Sequence, residues 1–152
     1  MDIRQYKHPG DAHLLGPCEA KGQRLTAMAL SAVAAGFPSP ADDYLDHPLD
    51  FNELLVVRPA ATFAVRVTGD SMSGAGIFPG DIAVVDRAET VRNGSIILAI
   101  LDGEFTIKRY RANANRMWLE PANPAYKEIA LSKGREFEVW GVVRHSIRML
   151  MP

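Results

Sequence analysis

Cysteine is almost absent from this 152-residue chain; Cys18 stands alone. One thiol excludes an internal disulfide and a cysteine-based zinc site, and it suits a reducing compartment such as the cytoplasm. An excess of one charge is missing as well. Seventeen Lys and Arg face eighteen Asp and Glu, for a net charge of −1. A chain whose task is to neutralise phosphate carries a clear basic excess, so direct sequence-specific DNA binding is not expected. No apolar run approaches the roughly 18–20 residues of a membrane span. Residues 25–37 are small and apolar behind Lys21 and Arg24, with Ala-x-Ala character, but they are too short and too late for a convincing signal peptide. Neither export nor a membrane is expected.

Cofactor signatures are lacking too. There is no phosphate-cradling Gly-x-x-x-x-Gly-Lys loop and no dinucleotide fingerprint. His8, His13, His47 and His145 are scattered, and none pairs with another ligand at metal spacing. No metal and no other cofactor is expected. What remains, at 47% apolar and 23% charged residues, is an ordinary globular composition.

The chain divides near residue 40. Residues 1–40 carry Pro9, Gly10, Gly16, Pro17 and Gly22 without a clean period, and they read as a flexible N-terminal arm. Within the arm, residues 25–35 have helical propensity. Pro38 and Pro40 then hold the chain extended. Residues 41–152 read as one β domain. Phe63, Val65 and Val67 alternate with Ala64, Arg66 and Thr68, the pattern of a half-buried strand. Strands are also expected at residues 82–85, 95–101, 104–110, 117–120 and 137–143, with a further one at 146–150. Asp102-Gly103 is a two-residue hairpin signal between two of them. Short strands at this spacing predict a mostly β fold, a curled antiparallel sheet or half-open barrel.

Two residues carry candidate chemistry. Ser71 ends a strand and opens a glycine-rich turn, Thr68-Gly69-Asp70-Ser71-Met72, where its hydroxyl can stand clear of the backbone. A serine that merely closes a turn is the plainer reading of that fragment alone. Lys108 lies on the expected return strand, where alternation puts Phe105 and Ile107 on one face and Thr106 and Lys108 on the other. It is either a solvated lysine or one sunk in the sheet. Burial favours the neutral amine, and a neutral lysine can take the proton of a serine hydroxyl in place of histidine.

These residues, in this order, resemble the LexA/UmuD-type self-cleaving serine peptidases, whose catalytic core is similar to that of signal peptidases. The matching pieces are Gly69-Asp70-Ser71-Met72, Gly76-Ile77-Phe78-Pro79-Gly80-Asp81 and Asp102-Gly103-Glu104-Phe105-Thr106-Ile107-Lys108. Glu120-Pro121-Ala122-Asn123-Pro124 and Gly141-Val142-Val143 follow. The resemblance covers residues 31–150, and Ser71 and Lys108 stand 37 positions apart, as it leads one to expect. It implies a Ser71–Lys108 catalytic dyad on a LexA-type C-terminal fold, and self-cleavage at Ala35-Gly36. The small side chains of Val33 and Ala35 suit a narrow cleft there, and cutting would leave residues 36–152 as the processed form.

Within the family, only 35 residues precede Gly36, with no helix–turn–helix pattern, which suits a short arm better than a repressor's DNA-binding domain. The strip Phe37-Pro38-Ser39-Pro40-Ala41-Asp42-Asp43-Tyr44 resembles the UmuD-like branch. That branch implies a cytoplasmic SOS-response protein. A RecA filament on single-stranded DNA would act as its co-protease, and the processed homodimer would join a UmuC-like translesion DNA polymerase in an error-prone polymerase V-type enzyme. Three alternatives stay open: a headless LexA-like regulator without a polymerase partner, a signal-peptidase-like enzyme acting on other chains, and a non-enzymatic β interaction module.

Overall fold

The computed structural model describes residues 10–18, 25–29 and 45–151. Ten strands run through these residues, in chain order β1 (Ala12–Pro17), β2 (Leu25–Ala29), β3 (Leu45–Asp50), β4 (Thr62–Val67), β5 (Ile82–Asp86), β6 (Ile96–Leu101), β7 (Glu104–Ala112), β8 (Met117–Glu120), β9 (Ile129–Ala130) and β10 (Phe137–Ile147). One short helix, α1 (Phe51–Leu55), follows β3, and the Asp50 carboxylate caps it by accepting from the Asn52 N–H at 2.8 Å.

Eight strands form a single open sheet in the order β1-β4-β5-β10-β6-β7-β8-β9, and β2 and β3 form a separate pair. Every pairing is antiparallel. The sheet curls far enough that the Asp11 N–H, just ahead of β1, donates to the Phe105 carbonyl of β7 at 2.8 Å. The expected mostly β, curled antiparallel sheet is the fold observed.

The hairpin between β6 and β7 turns on Asp102 and Gly103, whose φ values of 49° and 86° are those of a type I′ turn. That turn sets the register from Leu101↔Glu104 to Ile97↔Lys108. Period-two alternation then sorts the side chains. Leu98, Ile100, Phe105 and Ile107 join Phe63, Val65, Val85 and Trp140 in the main core. Ile97 and Ala99 turn to the opposite face, with Leu119 and Val142. β6 is thus buried on both faces, which explains its unbroken apolar run.

Three elements differ from the sequence reading. β1 is a strand within the segment read as an arm, paired with β4 from Ala12↔Val67 to Pro17↔Phe63. Residues 25–29 form β2, not the start of a helix, because pairing with β3 outweighs a weak local propensity. The strands expected at 137–143 and 146–150 are joined in β10, which ends at Ile147. Bulges at Val139/Gly141 and Val143/His145 let β10 pair first with β6 and then with β5. Ala35, Gly36 and the Pro38–Pro40 strip lie outside the described residues.

Candidate active site

Ser71 sits in the turn that leaves β4, and this turn is knitted to the chain beyond β8. The Ala122 N–H donates to the Ser71 carbonyl at 2.8 Å, and the Gly74 N–H donates to the Ala122 carbonyl at 2.6 Å. Lys108 comes from β7, on the face that carries Thr106. The two meet: Lys108 Nζ lies 2.8 Å from Ser71 Oγ. Both are buried, at 2% exposure for Ser71 and 4% for Lys108. The lysine is therefore sunk in the sheet and not solvated.

Lys108 Nζ also donates to Thr106 Oγ1 at 2.9 Å and to the Ile107 carbonyl at 3.2 Å. Its shortest contact is one that the sequence reading missed, Asp11 Oδ2 at 2.6 Å. The same carboxylate oxygen accepts from Thr106 Oγ1 at 3.0 Å and lies 3.4 Å from Ser71 Oγ. Asp11 stands 97 positions before Lys108, in a segment with no period, so no local pattern marks it. Only the turn signal Pro9-Gly10 stands beside it.

The surroundings brace the serine turn from two sides. Tyr126 donates its hydroxyl to the Asp70 carboxylate, and Asn123 Nδ2 donates to the Asp70 carbonyl at 3.0 Å. The hydrogen bond to Asp70 holds the Tyr126 phenol above its ordinary range. On the other side, buried Asp81 accepts from the Phe78 N–H at 2.9 Å, from Ser146 Oγ at 3.1 Å and from two N–H groups of Arg148. Hydrogen bonding to Arg148 is the chief reason that the Asp81 carboxyl titrates below the usual carboxylate range. The Arg148 guanidinium also stacks 3.9 Å from the Phe78 ring.

Among the described residues, the backbone N–H groups of Ser71 and Met72 donate to no backbone carbonyl. Beside the turn opens a cleft of about 530 Å³, lined by Gly74, Arg109, Glu120, Ala122, Asn123 and Tyr126 among others. Neither Ser71 nor Lys108 lines it. Among the described residues, no group of three or more His, Cys, Asp or Glu could hold a metal ion. No helix among them is long and apolar enough to cross a membrane.

The arrangement can do acyl-transfer chemistry: a hydroxyl, an amine within hydrogen-bond reach, and, beside them, N–H groups that donate to no backbone carbonyl of the described residues. Comparison with known proteins points the same way. A family profile described as Peptidase S24-like matches residues 28–144. Protein SamA of Salmonella typhimurium is 43% identical over 130 residues, which cover 86% of this chain and 90% of that protein. Protein ImpA of Escherichia coli is 46% identical over 113 residues, covering 74% of this chain and 77% of ImpA. LexA repressor 1 of Xanthomonas campestris pv. campestris is 40% identical over 125 residues, covering 82% of this chain and 61% of the repressor.

Proposed function

Since the chain belongs to the Peptidase S24-like family of serine peptidases, we propose that it cleaves itself, with Ser71 as nucleophile, Lys108 as its base and Ala35-Gly36 as the bond cut. The observation that carries this reading is the 2.8 Å contact between Lys108 Nζ and Ser71 Oγ in a buried setting.

Neutral Lys108 takes the proton of Ser71 as Oγ attacks the Ala35 carbonyl carbon. The backbone N–H groups at Ser71 and Met72 are candidates to hold the oxyanion, a contribution worth about 3–4 kcal/mol per donor. The Ala35–Gly36 C–N bond then breaks, and the Lys108 ammonium returns its proton to the leaving amine of Gly36. Water, activated by Lys108, hydrolyses the ester on Ser71 and releases residues 1–35 with a new carboxylate on Ala35. Attack within one chain gains proximity, but its rate is scaled by how often the cleavable pose is populated.

Likeness to SamA and ImpA supports a UmuD-like role. In that role a RecA filament on single-stranded DNA favours the cleavable pose, and the processed homodimer joins a UmuC-like translesion polymerase. The 40% identity to a LexA repressor favours a second reading, a self-cleaving regulator with no polymerase partner. Binding of the processed form to a UmuC-like subunit separates the two.

The test is intact mass against time, from pH 7 to about pH 10, for the wild type, Ser71→Ala and Lys108→Ala. A lysine base works in its neutral form, so alkali accelerates cleavage. The wild type is expected to lose residues 1–35, and both variants to stay whole while folded. Cleavage in Ser71→Ala overturns the reading. So does an intact wild type at high pH that stays intact when RecA, single-stranded DNA and nucleotide are added.

A further inference from the structure

The groove over Ser71 and Lys108 is already occupied by the chain's own Gly10–Asp11 segment. That segment is bonded on both walls. On one wall the Thr68 N–H donates to the Asp11 carbonyl at 2.8 Å, and Thr68 Oγ1 donates to the Gly10 carbonyl at 2.7 Å. On the other, the Asp11 N–H donates to the Phe105 carbonyl at 2.8 Å. Beyond it the chain continues as β1 along β4. The fit is specific for glycine at position 10. Its φ is +59°, and a Cβ there would lie 2.1 Å from the Phe105 carbonyl oxygen. The next residue delivers a carboxylate to the site, 2.6 Å from Lys108 Nζ and 3.4 Å from Ser71 Oγ.

Two consequences follow from chemistry. A strand that brings a peptide bond to Ser71 must pair with the free edge of the groove, and the Thr68 and Phe105 main-chain groups there are taken. Moreover, Lys108 faces four acceptors and behaves as a donor, ion-paired with Asp11, whereas a base for Ser71 must offer its lone pair. With the segment in place the dyad is also nearly shut off from solvent.

We propose that residues 10–17 are a built-in occupant of the peptidase groove, with Gly10 and Asp11 as the recognised pair, and that this segment must leave before the cleavable strand can enter. The proposal rests on the peptidase reading for its consequence, but the occupancy itself is a binding property and is tested separately.

The binding test uses full-length Ser71→Ala protein, which is not cut, and a fluorescent peptide of residues 31–40. Anisotropy titration compares this parent with Ser71→Ala carrying Asp11→Asn, which removes the charge and keeps the shape, or Gly10→Val, which adds bulk where there is no room. Circular dichroism and the thermal midpoint establish that each is folded. Peptide affinity about tenfold or more above the parent in both variants is expected, from the loss of one charge-assisted contact or of the fit. Affinity equal to the parent, or no binding in any variant, overturns the proposal.

A cleavage assay on the serine-bearing proteins separates the two readings. If the wild type cuts itself at high pH but Asp11→Asn is no faster at pH 7, the occupant idea falls and the peptidase stands. If peptide affinity rises but nothing cleaves under any condition, the occupant stands and the peptidase reading falls.

Discussion

Arg148, near the end of the chain, grips both carboxylate oxygens of buried Asp81 at 2.9 Å each. The pair ties the segment after β10 to the loop that begins at Ser71, and Arg148 also reaches the Gly76 carbonyl of that loop at 3.1 Å. Asp81→Ala strands the Phe78 N–H, the Ser146 hydroxyl and the guanidinium together. A loss of about 2–3 kcal/mol is expected, since unpaired buried polar groups are expensive. In a chain of this size that lowers the thermal midpoint by roughly 4–12 °C. The pH dependence follows from the lowered Asp81 carboxyl, which Arg148 chiefly causes. The stabilisation is present above the unfolded value near 3.9 and is lost as pH falls through the lower folded value. Urea unfolding at pH 7 and pH 3 should therefore show a smaller acid loss in Asp81→Ala than in the wild type. An equal loss removes Asp81 from the acid limb.

Adjacent residues of β7 face opposite ways. Ile107 is 1% exposed and points into the main core, while Lys108 points to the site. Ile107→Ala is expected to cost about 2–5 kcal/mol and Ile107→Val about 0.5–1.5 kcal/mol. If the chain cleaves itself as proposed, folded Ile107→Val protein should retain the wild-type rate within about twofold. Urea titration gives the first quantity and intact mass the second. A large rate loss in Ile107→Val would mean that the dyad geometry depends on core packing behind it.

What the sequence discloses depends on how local the cause is. The Phe63–Val67 alternation, the Asp102-Gly103 turn, and the faces of Thr106 and Lys108 are set within a few residues, and the structure agrees with each. The meeting of Ser71 and Lys108 is not local, but the order of the motifs pointed to it. β1 was hidden because its partner β4 lies some fifty residues on, and Gly16 and Pro17 break any period. β2 was hidden for a related reason, since small residues with helical propensity become a strand only when β3 arrives. Asp11 lies in the same aperiodic stretch. A carboxylate is recognisable as a partner of Lys108 only after the sheet has curled.

Tyr126 offers a check on the serine turn. Its hydroxyl bonds the carboxylate of Asp70, the residue before Ser71, and its phenol titrates above the ordinary range because of that bond. A raised phenol contributes stability below the unfolded value near 10, and that contribution is lost as pH rises through the folded value. Ultraviolet titration of Tyr126→Phe should show one late-ionising tyrosine fewer than the wild type. The same variant should cleave itself a few-fold more slowly at pH 9, because the turn loses one brace. A late phase of unchanged amplitude in Tyr126→Phe would assign the raised phenol elsewhere.

Lys108→Arg distinguishes a base from a buried cation. Arginine keeps the positive charge and can keep the pairing with Asp11, so the fold should survive with a shifted but cooperative thermal transition. It cannot become neutral at any workable pH, since its guanidinium stays protonated beyond about pH 12. If Lys108 serves Ser71 as a base, self-cleavage should fall by at least about 10³ and should show no recovery up to pH 10. If Lys108 acts only through its charge, the variant should process at an appreciable rate at neutral pH. Intact mass over several days, with RecA filaments added in parallel, covers that range. Processing of Lys108→Arg within tenfold of the wild type would remove the lysine from the proton path and leave Ser71 in need of another base.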